Sequence, residues 1–479
     1  MRPFTPARRW QPAFYPFRKE TFWRRWRARV ERMIKGPLYG CRMCGNCLLQ
    51  ETAFICPMEC PKGLRNGPCG GSTPEKCYVD ETRKCIWYCI FDKAVKMGRE
   101  EKLLEVLPPL DWDKVGTETW ADVIRQVRQV GTASFIGGML STDKEKRARN
   151  WESVFRPVRQ PGWWQGDDRY HPPAYLEPVS ELERRLRKGE FVITTEIIPP
   201  LHSDLTRLTE NITAARPWVT AINFTDAASA VPRMSSLACC KVAYDNQAEP
   251  VLQIAAREKT RCSLQSEIVG ASALGIRNIL CISGDNAIIG PAPRSNMNIL
   301  DIDSVQMLWI LRRMRDEGLY LDGRKMKSPP KLFLGAAASP FASKPEFQAI
   351  REQKKVNAGA QFLQTNLVFD PDGLDRWLEQ LEKRNVLNKV FILVGIGALK
   401  SFKMSQYLNK EIPGVTIPEK IMKRMENAGD KAQEEGIKIT VELIDAIKKK
   451  PGIHGIHLST FGCESTIERI IAESGLAGA

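Results

Sequence analysis

The chain has 479 residues, 43% hydrophobic and 27% charged, with a formal net charge of +15. That length calls for two domains or one large domain with an appendage, and the composition is globular rather than disordered or fibrous. No run of about eighteen apolar residues is present, which argues against a membrane-spanning helix, and the lack of an apolar leader points to a cytoplasmic protein.

Residues 1–40 form a basic, aromatic arm. Met1 to Lys35 holds eleven Lys and Arg against Glu20 and Glu31, a net of +9, interleaved with Trp10, Phe14, Tyr15, Phe17, Phe22, Trp23 and Trp26. Such a segment can cover an acidic partner, dock on another subunit or lie on the surface of its own protein. No nucleic-acid reader motif accompanies it, so nucleic acid is not expected as a partner.

Residues 41–105 hold nine of the fourteen cysteines: Cys41, Cys44, Cys47, Cys56, Cys60, Cys69, Cys77, Cys85 and Cys89. Without an export signal, disulfides explain such density poorly, and a metal is expected. None of the four histidines lies in the segment, so ligation would be all-thiolate, by tetrahedral zinc or by iron–sulfur clusters. The spacing Cys41-x-x-Cys44-x-x-Cys47 opens like a ferredoxin run, and Cys56-Pro57 and Cys60-Pro61 carry the proline that often follows a cluster ligand. Eight of the nine thiols would satisfy two [4Fe–4S] clusters. Zinc remains the alternative, since it too holds together a Gly/Pro-rich segment with little core, and spacing does not say which cysteine serves which site. The other five, Cys239, Cys240, Cys262, Cys281 and Cys463, read as small buried hydrophobes.

Residues 106–180 read as a connector. A helical pattern (Trp120, Val123, Ile124, Val127, Val130) is followed by a Trp/Pro-rich strap from Arg156 to Pro178. From residue 181 to 479 eight short apolar runs alternate with amphipathic segments: Phe191–Ile197, Val219–Phe224, Pro250–Ala256, Asn278–Ile282, Lys331–Ala337, Phe362–Phe369, Val390–Ile396 and Gly452–Leu458. They lack strict alternation, as parallel strands buried on both faces do. Eight β/α units predict an α/β fold, a (β/α)8 TIM barrel, behind a small Cys-rich metal-binding domain. A doubly wound sheet is the alternative, but the dinucleotide fingerprint and the P-loop are missing.

Barrel chemistry sits at the C-terminal strand tips. There the sequence offers Glu196, then Thr225 and Asp226, Gln253 within the third run, Ser283-Gly284-Asp285 after the fourth, and Gln364, Thr365 and Asn366 in the sixth. Caps and loop contacts account for many such residues. Glu196 is harder to dismiss, because a glutamate among apolar residues is costly to bury unless used or paired.

Glu196-x-x-Pro199-Pro200, Ser283-Gly284-Asp285 and Lys354-Lys355-Val356-Asn357-Ala358-Gly359-Ala360, in this order at these barrel positions, resemble methylenetetrahydrofolate reductase. The Cys-rich segment, with Pro61-Lys62-Gly63-Leu64-Arg65-Asn66-Gly67-Pro68-Cys69-Gly70-Gly71, resembles the small subunit that accompanies this reductase in acetogens, here fused to the barrel. The resemblance implies a flavin, FAD or FMN, and reduction of 5,10-methylene-tetrahydrofolate to 5-methyl-tetrahydrofolate. It makes Glu196 the general acid toward the folate, with a raised pKa, and sets Asp285 between flavin and pterin. Thr225, Gln253, Ser283, Gly284 and Lys355 become flavin-site positions, and Gln364 and Asn366 folate-site positions. Gln253, Ser283 and Asn366 depart from the histidine, arginine and glutamine of well-studied members, and Met425 replaces an aromatic that stacks on nicotinamide, which points away from direct NADH use. The expected donor is then ferredoxin or a larger redox complex docking on the basic arm, with electrons entering through the clusters. Two alternatives stand: the same reaction driven by NAD(P)H with a structural zinc, or a non-redox folate-binding methyl-group or assembly subunit. A homo-oligomer is left open.

Overall fold

The computed structural model describes residues 21–285, 290–291, 300–412 and 414–476. The first twenty residues of the basic arm lie outside these. Eight strands, β1 (Val192–Ile197), β2 (Ala221–Phe224), β3 (Pro250–Ala255), β4 (Asn278–Ile282), β5 (Phe333–Ala338), β6 (Phe362–Leu367), β7 (Phe391–Gly397) and β8 (Gly455–Ser459), pair in parallel and close with β8 on β1. Each predicted run coincides with one of them, with ends differing by zero to three residues; β5, β7 and β8 each extend one residue beyond their run.

Alternate side chains of each strand point into the barrel, and they form layers. At the N-terminal ends Val192, Ala221, Val251, Leu280, Phe333, Phe362 and Leu393 make an apolar plug, closed from below by Leu182 and Leu186. The Phe333 and Phe362 rings stack at 5.0 Å. Gly335 follows because a Cβ there would stand 2.1 Å from the Phe362 ring. One step up, the inward positions turn polar: Thr194, Asn223, Gln253, Gln364 and His457 are all buried. A plugged base and a polar upper interior leave the C-terminal mouth as the place for a polar ligand.

The helices follow chain order: α1 (Phe22–Tyr39), α2 (Ile86–Lys96), α3 (Trp120–Val130), α4 (Thr132–Met139), α5 (Lys144–Arg159), α6 (Glu181–Arg187), α7 (Thr206–Ala215), α8 (Ser236–Asp245), α9 (Arg261–Ala273), α10 (Ser304–Asp316), α11 (Pro345–Asn357), α12 (Pro371–Lys383), α13 (Phe402–Glu411), α14 (Glu419–Asn427), α15 (Ala432–Ile447) and α16 (Ile467–Glu473). Helix α6 supplies the barrel floor and most of the later helices pack around its wall. Among the described residues no helix is long and apolar enough to cross a membrane.

Between α1 and α2 the chain consists of turns. Gly45 (φ +64°) packs so tightly that a Cβ would meet the Lys114 carbonyl at 1.9 Å. The segment docks on the barrel through α2, where Trp87, Tyr88, Ile90, Phe91 and Ala94 pack against Phe347 and Ile350 of α11. Phe91 and Phe347 stack at 4.5 Å, and each such buried side chain contributes about 1.5–3 kcal/mol. The Trp/Pro strap crosses the back of α10, with Trp164 donating to the Val106 carbonyl and Trp309 to the Trp164 carbonyl.

Candidate active site

Closure of β8 on β1 places His457 beside Thr194 and Ser459 near Glu196. Ser459 Oγ donates to Glu196 Oε1 at 2.9 Å, and His457 Nε2 faces Glu196 Oε2 at 3.6 Å, just beyond hydrogen-bond length. The other imidazole nitrogen, Nδ1, lies 3.0 Å from Thr194 Oγ1, which also reaches the Ile456 carbonyl. With the threonine proton on that carbonyl, Nδ1–H is the donor to Thr194. Nε2 and the Glu196 carboxylate then confront each other across a gap that one proton can bridge.

The expected raised pKa of Glu196 is overturned. Burial acts to raise it, but the His457 imidazole and the Ser459 hydroxyl outweigh burial and hold the carboxyl below its ordinary value. Its side chain is 26% exposed toward the mouth, so the group is reachable from that side.

Among the described residues four buried polar atoms here have no hydrogen-bond partner: Asn223 Oδ1, Thr225 Oγ1, Thr460 Oγ1 and, within the pair itself, His457 Nε2. Buried polar atoms are normally satisfied, and four orphans near one barrel mouth fit a polar, hydrogen-bonding ligand such as a flavin or a pterin. Asn223 Nδ2 donates to Gln364 Oε1 at 2.8 Å across the interior, which fixes both amides. His457, Ser459 and Asn223 were missed in the sequence; strand alternation marks them as inward, but only barrel closure brings β8 to Glu196.

The other predicted positions divide. Asp285 Oδ2 accepts from the Ser229 backbone N–H at 2.8 Å, and the Asp285 carbonyl accepts from Arg257 at 2.8 Å, so this residue joins the loops after β2, β3 and β4. Gly284 holds φ +76°, and a Cβ there would meet Ala255 Cβ at 2.9 Å. Ser283 Oγ turns to Ser304 Oγ at the start of α10. The carbonyl of Gln253 accepts from Ser236 Oγ. Asn366 sits on a register irregularity of β6, its Oδ1 accepting from the Leu367 N–H; such bulges re-aim side chains. Lys355 is not brought to the Glu196 pair: its ammonium donates to the Ala337 carbonyl at 2.6 Å and pairs with Glu352 at 2.8 Å. Met425 is 1% exposed in the hydrophobic core.

The thiols sort into two cavities. One is lined by Cys41, Cys44, Cys47 and Cys56 together with Glu31, Lys35 and Tyr39 of α1, Arg42 and Arg65. The other is lined by Cys60, Cys69, Cys77 and Cys85 together with Glu59, Lys62, Arg83 and Lys84. Cys89 lines neither. Burial pushes the Cys47 thiol up to about 11 and the Cys60 thiol up to about 12, so both are protonated as bare thiols, and a metal would have to displace those protons. Among the described residues no three His, Cys, Asp or Glu side chains are set to hold a metal ion as they stand. The donor set nonetheless fits metal–thiolate chemistry: each cavity has four sulfurs, three cations and one glutamate, a net positive lining that matches an anionic tetrathiolate centre. Of the remaining cysteines, Cys239, Cys240 and Cys281 are buried as expected, whereas Cys262 is exposed and Cys463 partly so. Cys262 opens the second residue of α9, on the helix's outer side.

The closed parallel barrel, plugged below and carrying a carboxylate–imidazole pair at its C-terminal mouth, defines a (β/α)8-barrel protein equipped for proton transfer. The family model of methylenetetrahydrofolate reductase matches residues 181–475. The chain belongs to the methylenetetrahydrofolate reductase family, whose members generally depend on a flavin. A second family, described as methylene-tetrahydrofolate reductase C terminal, matches residues 24–113, the thiol-bearing segment. Among solved structures, an uncharacterised Clostridium thermocellum protein that binds two copies of 5-methyl-5,6,7,8-tetrahydrofolic acid is 16% identical, covering 62% of this chain and 98% of its own, with a TM-score of 0.43. A 2,3-dimethylmalate lyase is 10% identical, covering 64% of this chain and 90% of its own, with a TM-score of 0.35. No curated protein matches the chain.

Proposed function

We propose that this chain reduces 5,10-methylene-tetrahydrofolate to 5-methyl-tetrahydrofolate, with electrons entering through iron–sulfur clusters in its two four-thiol cavities. The observation that carries the reading is the Glu196–His457–Ser459 arrangement at the mouth, surrounded by orphaned polar atoms. The residues at the mouth would hold a flavin, FAD or FMN, whose chemistry when bound would be hydride supply toward the folate methylene carbon. Glu196 delivers the proton to the folate nitrogen released as the bridge opens. Ser459 orients the carboxyl, His457 opposite Oε2 shares its proton, and Glu196, the member of the pair open to the mouth, regains a proton from that side. Thr225, Gln253, Ser283, Gly284 and Asp285 would lie along the flavin, Gln364 and Asn366 along the pterin. Lys355, committed to Ala337 and Glu352, would act by holding β5 against α11.

Helix α1 supports entry of electrons from a docking protein such as ferredoxin. It lines the first cavity with Lys35 and Tyr39 and exposes Phe22, Trp23, Trp26 and Leu38. Anaerobically purified protein should carry iron and bound flavin, and a dithionite-reduced one-electron donor should reduce that flavin. Stoichiometric zinc without iron would reject electron entry, and absence of flavin after reconstitution would reject the reductase.

A further inference from the structure

Three residues of the loop between Cys60 and Cys69 hold both ends of the barrel connection that starts with Ser283-Gly284-Asp285. Lys62 Nζ reaches the Gly284 carbonyl at 3.4 Å, and the Lys62 carbonyl accepts from the Leu300 N–H at 3.0 Å. The Arg65 N–H and the Asn66 side-chain amide donate to Asp303 Oδ2 at 3.3 and 2.9 Å, at the N-cap of α10. The same loop faces both thiol cavities. Lys62 lines the cavity of Cys60, Cys69, Cys77 and Cys85, while Arg65, donating to the Asn46 carbonyl at 3.2 Å, lines the cavity of Cys41, Cys44, Cys47 and Cys56.

Lys62 is 5% exposed, and among the described residues it has no carboxylate partner, its ammonium meeting only the Gly284 carbonyl and the Tyr78 ring, at 5.4 Å, while Glu59 of the same cavity accepts from Arg42. A buried ammonium without a counter-charge is costly. Four thiolates on a metal in the cavity it lines would supply that charge. On its other side lies the turn that carries Asp285.

We infer that Lys62 is the positioning residue at the junction of the Cys60/Cys69/Cys77/Cys85 cavity with the barrel mouth, making that cavity the last station before the flavin. The Cys41/Cys44/Cys47/Cys56 cavity, walled by α1, is the entry station. This order rests on the reading that iron–sulfur centres occupy both cavities. In each passage a one-electron donor is oxidised by one electron, the entry centre is reduced and reoxidised, and the inner centre passes that electron on. Two passages with one proton from solvent give the flavin the two electrons and proton of a hydride.

The test is an EPR-monitored redox titration of the full-length, iron-reconstituted protein, with the flavin midpoint read by absorbance. Cys69→Ser should abolish one of two cluster signals and Cys47→Ser the other. Lys62→Met, by removing a cation, should lower the midpoint of the signal lost in Cys69→Ser and that of the flavin, and leave the signal lost in Cys47→Ser in place. Lys62→Arg should restore both midpoints. A Lys62→Met protein that shifts the Cys47-dependent signal, or shifts neither, overturns the relay order while leaving electron entry intact. Wild-type protein with zinc, no iron and no cluster signal overturns both.

Discussion

At the scale of single residues the site turns on Glu196. Glu196→Gln keeps the Ser459 contact but cannot give up a proton, so folate turnover should fall about 10²–10⁴-fold. Flavin reduction should continue, and stopped-flow measurement of the two half-reactions separates them. His457→Asn tests the imidazole. It removes the group that chiefly opposes burial in holding the Glu196 carboxyl down, so the Glu196 pKa should rise and the limb of the pH–rate profile that reports it should move to higher pH. An unmoved limb would show that His457 does not govern that proton. Asp285→Asn should shift the flavin midpoint and weaken folate binding, read by potentiometry and fluorescence titration, since its carboxylate joins the loops around the turn. Glu196 was legible in the sequence because a carboxylate ahead of Pro199-Pro200 in an apolar run has few structural excuses. His457 was not, because its role depends on which strand closes the barrel. Lys62 was hidden for a similar reason: inside a cysteine loop, a lysine reads as solvent-facing until the loop is docked.

At the scale of elements, the eight strands were legible because burial on both faces leaves near-continuous apolar runs, and the polar layer above the plug appears only once alternation is applied to paired strands. The sorting of thiols into two cavities was not, since spacing along a chain of turns does not fix which sulfurs converge. The turn after β4 offers a direct check. Gly284→Ala must place a side chain at φ +76° and against Ala255, costing about 1–3 kcal/mol, measurable as a lowered denaturation midpoint with weakened flavin retention. On α11, burial lowers the Lys354 pKa to about 7, partly offset by Asp303 and Glu105. The unfolded chain then binds more protons than the folded one between pH about 7 and the ordinary lysine value, so this group makes stability rise with pH across that window. Lys354→Met should flatten that rise in urea midpoints measured from pH 7 to 10.

At the scale of the whole molecule, Asn66 joins three parts. Its amide donates to Asp303 of the barrel and to the Leu107 carbonyl of the connector, and its Oδ1 accepts from the Leu107 N–H at 2.7 Å. Asn66→Ala leaves a buried carboxylate and two backbone groups short of partners, and should cost about 2–4 kcal/mol, seen as a lower melting temperature that bound flavin only partly restores. The contacts at Gly284, Leu300 and Asp303 are few and polar, and the apolar packing that docks the thiol segment lies apart from them, at α2 on α11. Carried on one polypeptide, the two sides meet at the high local concentration set by their tether. With docking carried by the tether and by α2 on α11, the polar seam can be built for alignment, with one thiol cavity set against one mouth in every copy of the chain.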